Sequence, residues 1–286
     1  MNLPISDKLS SCAVIIVTHN SQLYLKKCLE SLKNQTLAPA QIIVIDSGSN
    51  PNEIKFLKKE QPSVYFYLSK NNVGFCKGNN IGLSLVKNEI KYILFLNPDA
   101  FLSTEFIEKA EDFLNNEKQQ NTAVISGLLL GYDILKNSPT GKIDSSGIFR
   151  KWYGNWYDRN QGKVYEQCIS LQEETVPALC GALMFCRKEA LNSVLLAPNE
   201  VWDNSFFMYK DDIDLSLRLR KKKWKLKLLP HLTAYHCRGW QTDRQKVPKH
   251  LRLMSAKNEM KLFARHHSPC IIYSYLKYLS VKLFNV

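Results

Sequence analysis

The chain alternates between short apolar runs and longer stretches whose apolar residues recur at helical spacing. Residues 12–18 form an almost unbroken apolar, β-rich run, the pattern of a strand covered on both faces. Residues 21–33 then place Leu25, Cys28, Leu29 and Leu32 on one side of a helix. A second buried strand is predicted over 41–45, closed by Asp46-Ser47-Gly48-Ser49, followed by a helix over 53–60 and a third strand over 64–68. A Gly/Asn-rich turn over 72–80 leads into a helix from Ile81, and the fourth strand, 92–96, stops abruptly at Asn97-Pro98-Asp99. This βαβαβαβ order predicts an α/β fold with a mostly parallel, Rossmann-like sheet flanked by helices. Ligands of such sheets gather at the carboxyl ends of the strands.

Beyond the fourth strand the pattern loosens. Residues 131–175 are turn-rich and aromatic, with Trp152, Tyr153, Trp156 and Tyr157 close together, and read as an irregular insertion on the acceptor side of one large domain, 1–240. Apolar segments return at 176–186 and 225–229, and 211–222 predicts a helix. Residues 241–286 read as a basic, amphipathic helical extension. Its tail from 268 is apolar and aromatic but punctuated by Lys277 and Lys282, which suits a helix lying at an interface better than one crossing a membrane.

Charge adds a second feature. The 39 basic and 26 acidic residues leave a net charge of +13. The excess concentrates in 218–265, where Asp243 and Glu259 are the only acids. A surface of this kind attracts polyanions, among them phospholipid headgroups, nucleic acid and diphosphate-bearing substrates. Residues 1–11 lack the apolar stretch of a secretory signal, and the eight cysteines are dispersed without a C-x-x-C pair. Both features predict reduced core thiols in a cytoplasmic protein.

The polar residues with chemical potential sit at predicted strand ends. Asp99 offers one hard oxygen, and a divalent ion such as Mg²⁺ takes one or two protein carboxylates with phosphate oxygens and water completing its shell. The same residue after Pro98 also suits a plain turn. Asp46 could accept from a base N–H or a ribose hydroxyl, or close its own turn; Gly74 and Gly78 permit either a close ligand or a tight bend. The run Phe206–Arg218 places Asp211, Asp212 and Asp214 directly after an aromatic stretch, more acids than a helix start requires. Asp211 and Asp214 would share a face while Asp212 points elsewhere. An acid beside aromatic rings gains proton affinity, as a general base needs. His236 is a candidate imidazole ligand for the same ion, or a structural residue, and His266-His267 reads as surface.

Taken in order, VIIVTHN (14–20), IIVIDSGS (42–49), NVGFCKGNNIG (72–82), LFLNPDA (94–100) and FFMYKDDIDL (206–215) resemble family 2 of the inverting glycosyltransferases with the GT-A fold, most of all its bacterial rhamnosyltransferase-like members. The likeness runs from Val14 to about Gly239. It implies that Thr18, Asn20 and Asp46 hold the nucleoside, with Gly74, Asn79 and Asn97 near the base or diphosphate and Gly181 near the sugar. It makes Asp99 the metal-binding acid of a D-x-D motif, His236 its companion, and Asp212 the catalytic base, with Asp211 and Asp214 as secondary candidates. Two departures stand out: Asn97 replaces the first acid of D-x-D, and Asp211 replaces the Glu of Glu-Asp.

The resemblance further implies Mg²⁺ or Mn²⁺ as cofactor and a dTDP- or UDP-linked donor, with rhamnose one candidate sugar. The acceptor would be a glycan or lipid-linked hydroxyl in cell-surface polysaccharide synthesis, such as lipopolysaccharide. The basic C-terminal region would sit on the anionic inner face of a membrane. Three alternatives remain. A nucleotidyltransferase would carry a Gly- and Lys-containing phosphate loop where this chain has Thr18-His19-Asn20-Ser21-Gln22. A nucleic-acid binder would show zinc spacing or RNA-binding aromatics, neither of which is present, so no nucleic acid partner is expected. A sugar-nucleotide binder without transfer activity is the third.

Overall fold

In the computed structural model, which describes residues 9–168, 171–237 and 247–284, the N-terminal half winds in the predicted order. It comprises β1 (Cys12–Thr18), α1 (Gln22–Lys33), β2 (Gln41–Ser47), α2 (Pro51–Glu60), β3 (Tyr65–Ser69), α3 (Gly74–Ser84) and β4 (Tyr92–Leu96). The chain continues through β5 (Ala100–Leu102), α4 (Phe106–Asn115), β6 (Thr122–Asp133), β7 (Ser138–Ser145), β8 (Ile148–Arg150) and β9 (Trp156–Asp158). The C-terminal part holds β10 (Glu174–Thr175), β11 (Leu183–Arg187), α5 (Lys188–Asn192), α6 (Asp211–Lys221), β12 (Lys225–His236), α7 (Lys249–Arg265) and α8 (Ile271–Phe284).

Among the described residues the main sheet runs β10-β12-β6-β11-β4-β1-β2-β3, with β5 added on β12 and β7 on β6. The strands β4, β1, β2 and β3 are parallel, whereas β11 lies antiparallel between β4 and β6. The register aligns Thr18 with Asp46 and Ile15 with Phe95, so β1, β2 and β4 end along one edge. Helices cover both faces. Ile16 and Leu94 pack with α1 and α4 on one side, and Ile15, Phe95 and Trp202 with α3 and α6 on the other. Gly78 lets α3 lie close on the sheet, since a Cβ there would meet Val17 at 2.7 Å. Cys12, Cys28, Cys76, Cys180 and Cys186 are buried free thiols, and Cys237 and Cys270 are half-buried ones.

Three expectations change. The helix α3 begins at Gly74, seven residues before Ile81, because its asparagines turn their amides inward. Asn79 Nδ2 donates to the Phe75 carbonyl at 3.0 Å, and Asn80 Nδ2 to the Trp202 carbonyl at 2.7 Å. These bonds outweigh the turn propensity of Asn and Gly. Second, 131–175 is not irregular: β7 extends the main sheet on β6, and β8 and β9 form an antiparallel pair. Third, β12 continues past Leu229 to His236, where it pairs with β5. The proposed C-terminal limit of the resemblance, about Gly239, falls outside the described residues.

Candidate active site

A cavity of about 650 Å³ opens at the carboxyl edge of the sheet. Asn97 and Asp99 reach it from the end of β4, His236 from the end of β12, and Gly181 from the turn before β11. Asp211 and Asp212 enter from the start of α6, Trp156 and Asp158 from β9, and Leu251 and Arg252 from α7. Of the sequence-derived candidates, Asn97, Asp99, Gly181, Asp211, Asp212 and His236 therefore share one cavity.

The pairing of His236 with Ala100 across β12 and β5 fixes the imidazole beside Asp99. Its Nε2 lies 3.3 Å from Asp99 Oδ1, and its Nδ1 lies 2.8 Å from Asp144 Oδ2 on β7. Both His236 and Asp144 are buried. Burial alone would lower the imidazole pKa, but the Asp99 charge and the Asp144 hydrogen bond raise it to about 9. The Asp99 carboxylate facing Nε2, with Asp144 behind the ring, makes this a place where positive charge is stabilised. Among the described residues no three His, Cys, Asp or Glu side chains converge on one point, so the protein's contribution to a metal would be two donors. One carboxylate and one imidazole, the latter backed by a second carboxylate, fit a divalent ion whose remaining ligands come from a diphosphate and water. The nitrogen donor suits Mn²⁺ better than Mg²⁺, which favours oxygen.

On the facing wall, Asp212 is half-buried and the Gly181 N–H donates to its Oδ2 at 3.0 Å. Burial raises its pKa, and the nearby Asp158 charge adds to the effect, while the Gly181 and Ile213 N–H groups and Lys210 oppose it. Asp211 is raised as well, chiefly by burial and then by the Asp212 charge. The turn leading into α6 is unusual: Tyr209 (φ 71°) and Lys210 (φ 69°) are both left-handed without being glycine. Such backbone persists only where its surroundings hold it. Here Asn258 Nδ2 of α7 donates to the Met208 carbonyl at 2.8 Å and the Tyr209 carbonyl at 3.3 Å. Buried Glu259 lies 3.9 Å from Lys210 Nζ and accepts from Lys277 Nζ at 2.6 Å.

Asp214 faces away from the cavity that Asp211 and Asp212 both line, so the shared face expected for Asp211 and Asp214 from their three-residue spacing is not what the fold uses. It is fully buried against Arg218 Nε at 2.8 Å, Arg265 Nη1 at 3.2 Å and His266 Nε2 at 2.9 Å. His266 is thus a buried partner of Asp214 and not the surface residue expected.

The remaining candidates lie outside the cavity lining. Thr18 and Asp46 are adjacent in register at the ends of β1 and β2, both buried. Asp46 accepts from the Ser49 N–H at 3.3 Å, closing its own turn. Asn20 is exposed, its Oδ1 accepts from the Asn50 N–H at 3.2 Å, and its own N–H donates to Ser49 Oγ at 2.8 Å. These three gather where β1 and β2 end. Gly74 opens α3 at φ +78°, where a Cβ would come within 2.6 Å of the Phe207 ring, and Asn79 is buried within that helix.

Comparison with known proteins decides the family. The glycosyl transferase family 2 profile matches residues 13–195, well over half of the chain. The chain belongs to this family. The glycosyltransferase is 30% identical over 235 residues to the rhamnosyltransferase WbbL of Escherichia coli K12, covering 78% of this chain and 82% of that protein. It is also 30% identical over 115 residues to the minor teichoic acid biosynthesis protein GgaB of Bacillus subtilis 168, covering 38% of this chain and 12% of GgaB. Among solved structures it is similar to GalNAc-T7, crystallised with UDP, GalNAc and Mn²⁺ (TM-score 0.62, 15% identity, 94% of this chain and 56% of that chain). It is likewise similar to TarS of S. aureus (TM-score 0.53, 14% identity, 89% of this chain and 42% of that chain). These two likenesses show the GT-A fold.

Four residues in or behind this cavity escaped the sequence reading. Asp144 and Asp158 lie in the segment read as irregular, and Arg252 and Asn258 in the extension read as separate from the domain. The one available signal was Ile143-Asp144-Ser145, an acid inside a short run that β7 buries completely at its end.

Proposed function

We propose that this glycosyltransferase moves a sugar from a nucleoside diphosphate to an acceptor hydroxyl with inversion at the anomeric carbon. The donor is dTDP- or UDP-linked, with rhamnose a candidate, and the acceptor is a glycan or lipid-linked sugar of a cell-surface polysaccharide. The observation that carries this reading is a single cavity with an Asp99–His236 pair on one wall and Asp212 on another. The rhamnosyltransferase likeness supports the choice of sugar.

In this reading Thr18, Asn20 and Asp46 hold the nucleoside where β1 and β2 end, with Gly74 and Asn79 setting the helix beside it. Asn97 and Gly181 line the path of the diphosphate and sugar. Asp99 and His236 would hold Mn²⁺ or Mg²⁺, which when bound supplies positive charge to the departing nucleoside diphosphate. Asp144 keeps the His236 ring oriented, its Nδ1–H directed away from the cavity. Asp212 takes the acceptor proton as the hydroxyl oxygen bonds to the anomeric carbon from the face opposite the breaking bond. Its raised proton affinity fits that task. Trp156 and Tyr157 provide aromatic surface for a sugar ring.

A thermal-shift screen of dTDP- and UDP-sugars with and without Mn²⁺ tests this. A donor at about 100 times its Kd stabilises by about 2.7 kcal/mol, a shift of several degrees. The shift should require Mn²⁺ and vanish in Asp99→Ala. Absence of a shift with every nucleotide sugar would overturn the reading.

A further inference from the structure

The last helix turns much of its apolar surface outward, with Val281 its one buried apolar residue. On α8 the residues turned toward the protein include Ser274, which is fully buried, and Lys277, which reaches Glu259 of α7 at 2.6 Å. Apart from Lys282, the residues turned outward are apolar or aromatic. Ile272, Tyr275, Leu276, Leu279 and Leu283 recur at spacings of three and four, a stripe of roughly 100° along the helix. Ile272 is 69% exposed, Leu276 60% and Leu283 65%, and Phe284 lies exposed beside them. A helix folding only against its own domain would bury that stripe.

The stripe does not stand alone. Trp152, at the turn between β8 and β9, is 90% exposed. Its ring meets Tyr153 at 5.5 Å, and Tyr153 meets Tyr273 of α8 at 5.2 Å. One aromatic chain thus joins the exposed tryptophan to the exposed stripe. Large apolar patches of this kind on a folded protein mark a surface that something else covers.

Charge and length narrow the occupant. Residues 247–284 carry seven Lys or Arg against a single acid, Glu259, which is buried and paired. Arg150, Lys151 and Lys282 are exposed at the patch itself. Among the described residues no helix is long and apolar enough to cross a membrane. A short apolar stripe with an outlying tryptophan and a basic surround is the composition of a helix lying in a headgroup layer.

We propose that Trp152 and the outer stripe of α8 dock this protein on an anionic lipid surface, with Arg150, Lys151 and Lys282 set against the headgroups. The same two segments border the cavity: Trp156 and Tyr157 follow Trp152 by a few residues, and α7, which packs on α8, supplies Leu251 and Arg252. A docked molecule therefore holds its cavity close to the bilayer, where a lipid-linked acceptor would be. The docking itself rests on no donor or acceptor chemistry, so it can fail without touching the catalytic reading.

The test is co-sedimentation of the full chain with vesicles of phosphatidylcholine alone or mixed with phosphatidylglycerol, without donor or acceptor. The wild type should bind the anionic vesicles, more weakly as salt rises, and bind phosphatidylcholine poorly. The triple variant Ile272→Ser/Leu276→Ser/Leu283→Ser should lose about tenfold or more in partitioning, and Trp152→Ala several-fold. Since all four side chains are exposed, circular dichroism and Tm should match the wild type. Wild-type chain left in the supernatant with anionic vesicles, or a triple variant that binds as the wild type does, would overturn the proposal. So would a dimer in solution that the triple variant splits without any vesicle binding, which would assign the stripe to a second copy.

Discussion

Replacing Asp144 separates a positioned imidazole from an incidental one. Asp144 Oδ2 accepts from His236 Nδ1 at 2.8 Å, and neither side chain has appreciable contact with solvent. A hydrogen bond to a charged group contributes about 1.5–3 kcal/mol and a neutral one about 0.5–1.5 kcal/mol. Asp144→Asn keeps an acceptor oxygen and loses the charge, so the ring should be held about 1 kcal/mol less firmly, roughly a fivefold effect. Asp144→Leu removes the acceptor. It leaves a buried N–H unpaired, at about 1–3 kcal/mol of stability, and frees the ring to turn. Outer carboxylates behind a liganding histidine typically account for about 10–100-fold in metal affinity. The assay is titration of Mn²⁺ in the presence of UDP, following free Mn²⁺ by electron paramagnetic resonance, with Tm as the folding control. The expected order of affinity is wild type, then Asn, then Leu. A folded Asp144→Leu chain that binds Mn²⁺ as tightly as the wild type would refute the assignment of His236 as a ligand.

Asp214→Ala should cost about 3–5 kcal/mol, the usual effect of breaking a buried ion pair, and lower Tm by on the order of 10 °C. Burial pushes the Asp214 carboxyl upward, but His266 and Arg218 outweigh it and hold it below the ordinary range. Its contribution is therefore complete at neutral pH and lost as pH falls through that depressed value, so acid unfolding should steepen in the wild type and flatten in Asp214→Asn. Asn258→Ala removes the donor that holds the left-handed Tyr209–Lys210 turn, and kcat should fall about tenfold while the chain stays folded. Because the Asp212 pKa is raised, the acid limb of kcat/KM should lie above the ordinary Asp value of about 4 and disappear in Asp212→Asn.

The half of the fold that sequence patterns reveal is the half built from strands covered on both faces. The runs of β1, β2 and β4 are apolar between their ends, and those ends point to Asp46, Asn97 and Asp99 without reference to distant partners. What patterns missed depends on contacts far along the chain. Asp144 acquires meaning from His236, 92 residues away, and His266 from Asp214, 52 residues away. Asn80 of α3 looks like a turn former until the Trp202 carbonyl accepts its hydrogen bond. The extension reads only as basic and amphipathic, and its Asn258 gives no sign in the sequence that it holds the turn before Asp212. In each case a polar residue with weak local preference takes its role from a tertiary hydrogen bond.

The account turns on Asp212 as the base of an inverting transfer. Proton NMR of the reaction with a Mn²⁺-loaded donor reads both donor consumption and the anomeric configuration of the product. The wild type should give the inverted anomer, and Asp212→Asn should slow turnover by about 100-fold or more with Tm and donor affinity preserved. A product of retained configuration, or a folded Asp212→Asn chain transferring at the wild-type rate, would contradict it.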